Sequence, residues 1–189
     1  MEIEELLSKA KRIENLLERK LFFTAILTEK LKDENSKPII VGGTAVEFYT
    51  LGGYSTFDLD LVYKEKEKID KIFKEFGFKR YGRHWYNEEL DLAVEIPSST
   101  LIGSENRLTK IKIEGLTAYM IGIEDIIADR LNAYVHWKSE DDCEWARRMM
   151  ILHRDKIDWN YLKERSKKDK TYAALKKLKK EVKEYGSGI

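Results

Sequence analysis

The chain has 189 residues, of which 42% are hydrophobic and 37% charged. That is long enough to bury a core without disulfides or metals, too apolar for a disordered chain, and without any apolar run of the 18 residues a membrane-spanning helix needs. Thirty-five Lys+Arg stand against 34 Asp+Glu, a formal charge of +1 that selects no class of partner. The opening MEIEELLSKAKRIENLLERK interleaves charges with leucines and lacks the apolar h-region of a secretory signal. A lone cysteine, Cys143, cannot form an internal disulfide, so a reducing cytoplasm is the expectation. The charge is carried mainly by Lys and Glu, the composition of a thermophile's protein.

Residues 2–34 read as helix, because Leu6, Ile13, Leu16, Leu17, Leu21, Phe22, Ile26, Leu27 and Leu31 recur at three- and four-residue steps. One long helix or two with a kink near Arg19–Lys20 both fit. Asp33 to Pro38 is a stop and a turn. Pro38-Ile39-Ile40-Val41 is a short buried strand, Gly42-Gly43 follows, and Thr44 to Leu51 is helical until Gly52-Gly53. Residues 56–63 alternate as a strand, with Asp58 and Asp60 on one face and Leu59 and Leu61 on the other. Glu67 to Phe76 is an amphipathic helix. Strands are expected at 80–86 and 89–96, joined by a turn at Asn87-Glu88, and another pair at 109–114 and 116–121 around Gly115. Beyond Gly122 every segment is helical, with apolar faces at Ile126, Ile127, Leu131, then Trp145, Met149, Met150, Leu152. Asp158 caps the next helix, and Tyr172, Leu175, Leu178, Val182 and Tyr185 form a last stripe. The chain divides into an N-terminal helical segment (1–37), an α/β core (38–122) and a C-terminal helical region (123–189). The fold class is α+β, a mixed β-sheet flanked by helices with a C-terminal helical bundle.

The sharpest feature is Val41-Gly42-Gly43, fourteen intervening residues, then Asp58-Leu59-Asp60. Two glycines between a strand and a helix let the backbone approach a ligand closely. The following helix offers free N–H groups and the positive end of its dipole to phosphate. Two aspartates two apart on a strand project to one side, as hard oxygen ligands for Mg²⁺ do when substrate phosphates and water complete the shell.

This ordered combination resembles the nucleotidyltransferase superfold of polymerase β-like proteins. The lead-in Gly53-Tyr54-Ser55-Thr56-Phe57-Asp58 is similar to the abortive-infection toxin branch, which often carries Arg where Tyr54 stands. The superfold has a third carboxylate on a later strand. Alternation puts Asp91 and Glu95 on one face, and periodicity alone leaves both open. Val94-Glu95-Ile96-Pro97 resembles an element of one subgroup of minimal nucleotidyltransferases, as do the helix from Glu124 to Trp137 and the acidic stretch Asp141-Asp142-Cys143-Glu144, and this favours Glu95. The likeness spans about residues 38–150.

The resemblance implies transfer of a nucleoside monophosphate from an NTP to a hydroxyl acceptor. Gly42, Gly43, Thr44 and Thr56 would border the triphosphate, Asp58, Asp60 and Glu95 would hold Mg²⁺ or Mn²⁺, and Arg130 would contact phosphate, with an ion pair to the core as its plainer role. The acceptor would be an RNA 3′ end, such as tRNA, or a protein hydroxyl, in a toxin–antitoxin component with an antitoxin partner or as a homodimer, and with no membrane. His136 is expected to pack by a hydrogen bond and Trp137 to lie in core or interface. From Lys163 to Glu184 ten Lys/Arg face four Asp/Glu, a basic end suited to RNA or to solvent. The rival reading is a weakly active nucleotide-binding or protein-interaction module on the same fold.

Overall fold

The computed structural model describes residues 2–34 and 36–186, with side chains through Glu184. Asn35 in the expected turn and the Tyr185 side chain in the last stripe lie outside the described residues. Two helices open the chain, α1 (Ile3–Ala10) and α2 (Leu16–Lys30). The break is at 11–15, not near Arg19–Lys20. Asn15 caps α2, its side chain accepting the Glu18 N–H, which supplies a partner for an otherwise orphaned donor. The apolar rhythm runs through this break because α1 and α2 bury the same kind of stripe in one core.

The middle of the chain builds a seven-stranded mixed sheet. Its strands are β1 (Ile39–Ile40), β2 (Asp58–Val62), β3 (Lys79–Tyr81), β4 (His84–Asn87), β5 (Leu92–Ser98), β6 (Thr109–Ile113) and β7 (Leu116–Met120). Their order is β3-β4-β5-β2-β1-β7-β6. β2 runs parallel to β5 and antiparallel to β1, and β1 runs parallel to β7. Helices α3 (Gly42–Tyr49) and α4 (Lys66–Glu75) are interleaved with these strands. The expected single strand at 80–86 is two, because Gly82 at φ +61° turns the chain between β3 and β4. The next turn is longer than expected and occupies Glu88–Asp91, so β5 starts only at Leu92. The β6–β7 hairpin forms as expected, with Glu114 and Gly115 both at positive φ in a two-residue turn.

Four helices follow, α5 (Ile123–Trp137), α6 (Glu140–Leu152), α7 (Trp159–Lys168) and α8 (Tyr172–Gly186). Asp158 caps α7 by accepting the N–H groups of Asn160 and Tyr161. Asp141 and Asp142 sit in the first turn of α6, where the helix dipole favours them. Trp137 is 81% exposed rather than core, and Leu152 is also exposed, because each lies at a helix end that nothing covers. His136 does pack by a hydrogen bond, to the Asp169 carbonyl. The sheet core includes Phe23, Phe73, Phe78 and Trp85, whose neighbouring rings stand 5.2–5.6 Å apart. α2 lies against β7 and carries most of its length into this core.

Candidate functional site

The site forms where β1 hands over to α3 and β2 begins. Val41 is the last extended residue and Gly42 opens the helix at φ +57°, a conformation that favours glycine. A Cβ on Gly42 would stand 2.2 Å from Oδ2 of Asp60, and one on Gly43 would stand 3.0 Å from Oγ1 of Thr56. Gly42 is thus favoured both by its positive φ and by the approach of Asp60 from β2, and Gly43 is tight against Thr56, just ahead of β2. The Val41 N–H donates to the Asp60 carbonyl at 3.0 Å. The Gly43 N–H donates to Asp60 Oδ2 at 3.4 Å, a long bond. Thr44 is fully buried, and its hydroxyl donates to the Asp58 carbonyl at 3.0 Å. The Thr44 side chain thus holds β2 instead of facing a ligand.

Asp58 and Asp60 are half-buried on one face of β2, as alternation requires. In the parallel pairing with β5, Asp60 is the register partner of Glu95. Paired residues on neighbouring strands stand about 4.8 Å apart in the sheet, so Glu95 is beside Asp60 on the same face. Asp91 does not join them. It lies in the turn before β5 at φ +46°, exposed, with Arg19 3.6 Å away. The alternation that put it level with Glu95 fails because β5 has not yet begun.

Residues 19–185 match the model of the family described as "Nucleotidyltransferase of unknown function (DUF6036)". The chain belongs to this family. It is a nucleotidyltransferase by family and hence of the transferase class. Among solved structures it is similar to an antigenic nucleotidyltransferase-like protein from Paracoccidioides brasiliensis, at 18% identity and TM-score 0.53, over 72% of this chain and 76% of that one. This supports the fold. The antibiotic-resistance factor ANT(2'')-Ia is a more distant neighbour, at 14% identity and TM-score 0.46 over the full length of both chains. No curated protein matches the sequence significantly.

In this nucleotidyltransferase the electrostatics at Asp60 are set first by burial and then by its neighbours. Burial pushes the Asp60 carboxyl up, the Gly43 N–H opposes this, and the charges of Glu95 and Asp58 push it further. The more distant Arg130 charge pulls it back. Arg130 itself is held by Asp129 and, at 2.7 Å, by Asp142, so it ties α5 to α6 and reaches Asp60 only through its field. Tyr54 packs edge-on against Trp145 with ring centroids 5.0 Å apart.

Four further residues border the site. Lys20 of α2 is fully buried and donates to the Thr56 carbonyl at 2.6 Å and to Glu47 of α3 at 3.4 Å. Arg83 and His84, at the start of β4, stand 3.3 and 3.8 Å from the Glu95 carboxylate. Lys20 had one sequence signal: a lysine followed directly by Leu21-Phe22-Phe23 in the most apolar stretch of its helix. Arg83 and His84 had none, because only strand pairing brings them to Glu95.

Among the described residues, no three His, Cys, Asp or Glu side chains gather closely enough to hold a metal by protein atoms alone. The donor set still fits a hard divalent cation that keeps waters and takes substrate phosphates. Asp58, Asp60 and Glu95 are oxygen donors on one face, and their mutual repulsion at Asp60 is what a cation would relieve.

Proposed function

We propose that this nucleotidyltransferase moves a nucleoside monophosphate from an NTP to a hydroxyl acceptor, with Mg²⁺ or Mn²⁺ at Asp58, Asp60 and Glu95. The observation that carries the reading is the close approach of Asp60 to Gly42, beside Glu95 and at the N-terminus of α3. The triphosphate would lie along Gly42 and Gly43, where the first-turn N–H groups of α3 and its dipole favour anions. Thr56 borders this place through its contact with Gly43. A bound divalent cation would supply neutralisation of the phosphate charge and polarise the reacting oxygens. The chain's own part is to align the acceptor oxygen with the α-phosphorus. The new P–O bond forms there, the bond to the β-phosphate breaks, and pyrophosphate leaves. Glu95 would assist in taking the acceptor proton. Arg130 supports the site from a distance by its charge.

For the acceptor we favour an RNA 3′ end, tRNA included, over a protein hydroxyl. The support is the basic surface of α7 and α8. Lys179 lies over the Trp159 ring at 4.4 Å, and its ammonium is pulled down first by burial and then by the Lys183 and Lys163 charges. Crowded cations of this kind bind a polyanion. The test is incubation with each α-³²P-labelled NTP, Mg²⁺ or Mn²⁺, and either total RNA or protein lysate. Label is expected on RNA, and Asp58→Asn should lower it by about 10²–10³-fold, the usual loss on removing a group that stabilises transition-state charge. Label on protein would move the acceptor to a hydroxyl side chain. No labelling with any nucleotide would favour the rival binding-module reading.

A further inference from the structure

Lys20 links the helical N-terminal segment to the carboxylate site from behind. A lysine is rarely fully buried unless its charge is paired. Here the pairing is only partial. Glu47 accepts at 3.4 Å, and the strongest bond goes to a neutral backbone oxygen, the Thr56 carbonyl at 2.6 Å. Thr56 lies two residues before Asp58, in the stretch that enters β2. The same stretch is tied to α3 by Thr44, and the charges of Asp58 and Asp60 both act on the Lys20 ammonium. Three elements thus converge on one ammonium group: α2 carries it, α3 supplies Glu47, and the 56–58 segment supplies the carbonyl.

We propose that Lys20 is a positioning residue for the divalent-cation site: by clamping the Thr56 carbonyl to α2 and α3 it fixes where Asp58 and Asp60 stand against the glycine turn. This rests on the reading of those aspartates as cation ligands. Groups that orient metal ligands from behind typically change metal affinity by about 10–100-fold when removed. The sign of the effect separates this role from others. A positioning role makes cation binding weaker when Lys20 is lost. Removing a positive charge beside the site would by itself make it tighter. An ion pair that serves only the core would leave it unchanged once the core is repaired.

The experiment measures Mn²⁺ binding to the purified full chain by electron paramagnetic resonance, without nucleotide, alongside thermal melts. The variants are Lys20→Met, the double variant Lys20→Met with Glu47→Leu, and Asp58→Asn as reference. The double variant removes both buried charges and keeps the fold testable if the single one fails to fold. The expected result is Mn²⁺ affinity reduced about tenfold or more in the folded Lys20 variants. Unchanged or tighter Mn²⁺ binding in the double variant, with a cooperative melt, overturns the proposal. Mn²⁺ binding that Asp58→Asn leaves intact sinks the cation-ligand reading itself, which is a separate outcome.

Discussion

Two aspartates press on a glycine in this protein, and they have opposite surroundings. Asp125 of α5 would touch a Cβ on Gly103 at 2.8 Å, and Asp60 would touch one on Gly42 at 2.2 Å. Asp125 is 1% exposed and fully provided for. It accepts from the Ser104 N–H at 2.8 Å, the Tyr161 hydroxyl at 2.8 Å and Arg165 at 3.1 Å. Asp60 has one long backbone bond and two neighbouring carboxylates. Asp125 is thus a structural knot joining α5, α7 and the loop before β6. Asp60 is held in place with far fewer donors, and the Gly43 N–H and the Arg130 charge offset its burial and its neighbouring carboxylates only in part. The difference is in donors supplied and in burial, not in glycine contact.

Three substitutions test this contrast, from the largest expected effect down. Asp125→Ala removes one partner of a buried ion pair and leaves Arg165 and Tyr161 without their acceptor. It should destabilise by about 3–5 kcal/mol, lowering Tm by about 6–20 °C for a domain of this size; a Tm within a few degrees of the parent would break the structural half of the comparison. Gly42→Ala places a methyl group against Asp60 and forces a residue with a side chain into positive φ. The conformation alone costs about 1–2 kcal/mol, and displacement of Asp60 should reduce nucleotidyl transfer more than it reduces Tm. Equal losses in transfer and stability would show Gly42 to be only a turn residue.

The smallest effect has the opposite sign. Asp60's raised carboxyl keeps its proton to higher pH in the folded than in the unfolded chain. Its contribution to stability is therefore largest below about pH 4, the ordinary aspartate range, and is lost as pH rises through the folded value. Asp60→Asn should then raise Tm of the metal-free protein at pH 7, by about 2–4 °C for each 1 kcal/mol relieved. Melts from pH 7 toward pH 4 should show the gain shrinking. A variant less stable than the parent at pH 7 would mean that Asp60 is as well supported as Asp125.

Much of the site was legible in the sequence because its key parts are local. Gly42, Gly43, Asp58 and Asp60 lie within one strand–helix–strand unit, and strand alternation alone puts the two aspartates on one face. The bond of the Thr44 hydroxyl to the Asp58 carbonyl was not legible, because a residue's presence next to a glycine turn does not say which way its hydroxyl points. Arg130 was legible only as two alternatives, and its partner Asp142 is on another helix.

The amino-acid order by itself determined the α+β class, the succession of elements after Pro38 apart from the β3–β4 turn and the start of β5, the family signature and the hairpin at Gly115, since each depends on short-range periodicity, turn chemistry or spacing. Tertiary structure decided which later carboxylate stands with Asp58 and Asp60. That choice depends on where β5 begins and on its parallel register with β2, a pairing between residues more than thirty positions apart. It also decided that Lys20 is buried behind the site, because only the packing of α2 against the sheet and α3 brings its ammonium to Thr56 and Glu47. Non-local pairing and burial, not propensity, turn a glycine–aspartate pattern into a shaped and charged site.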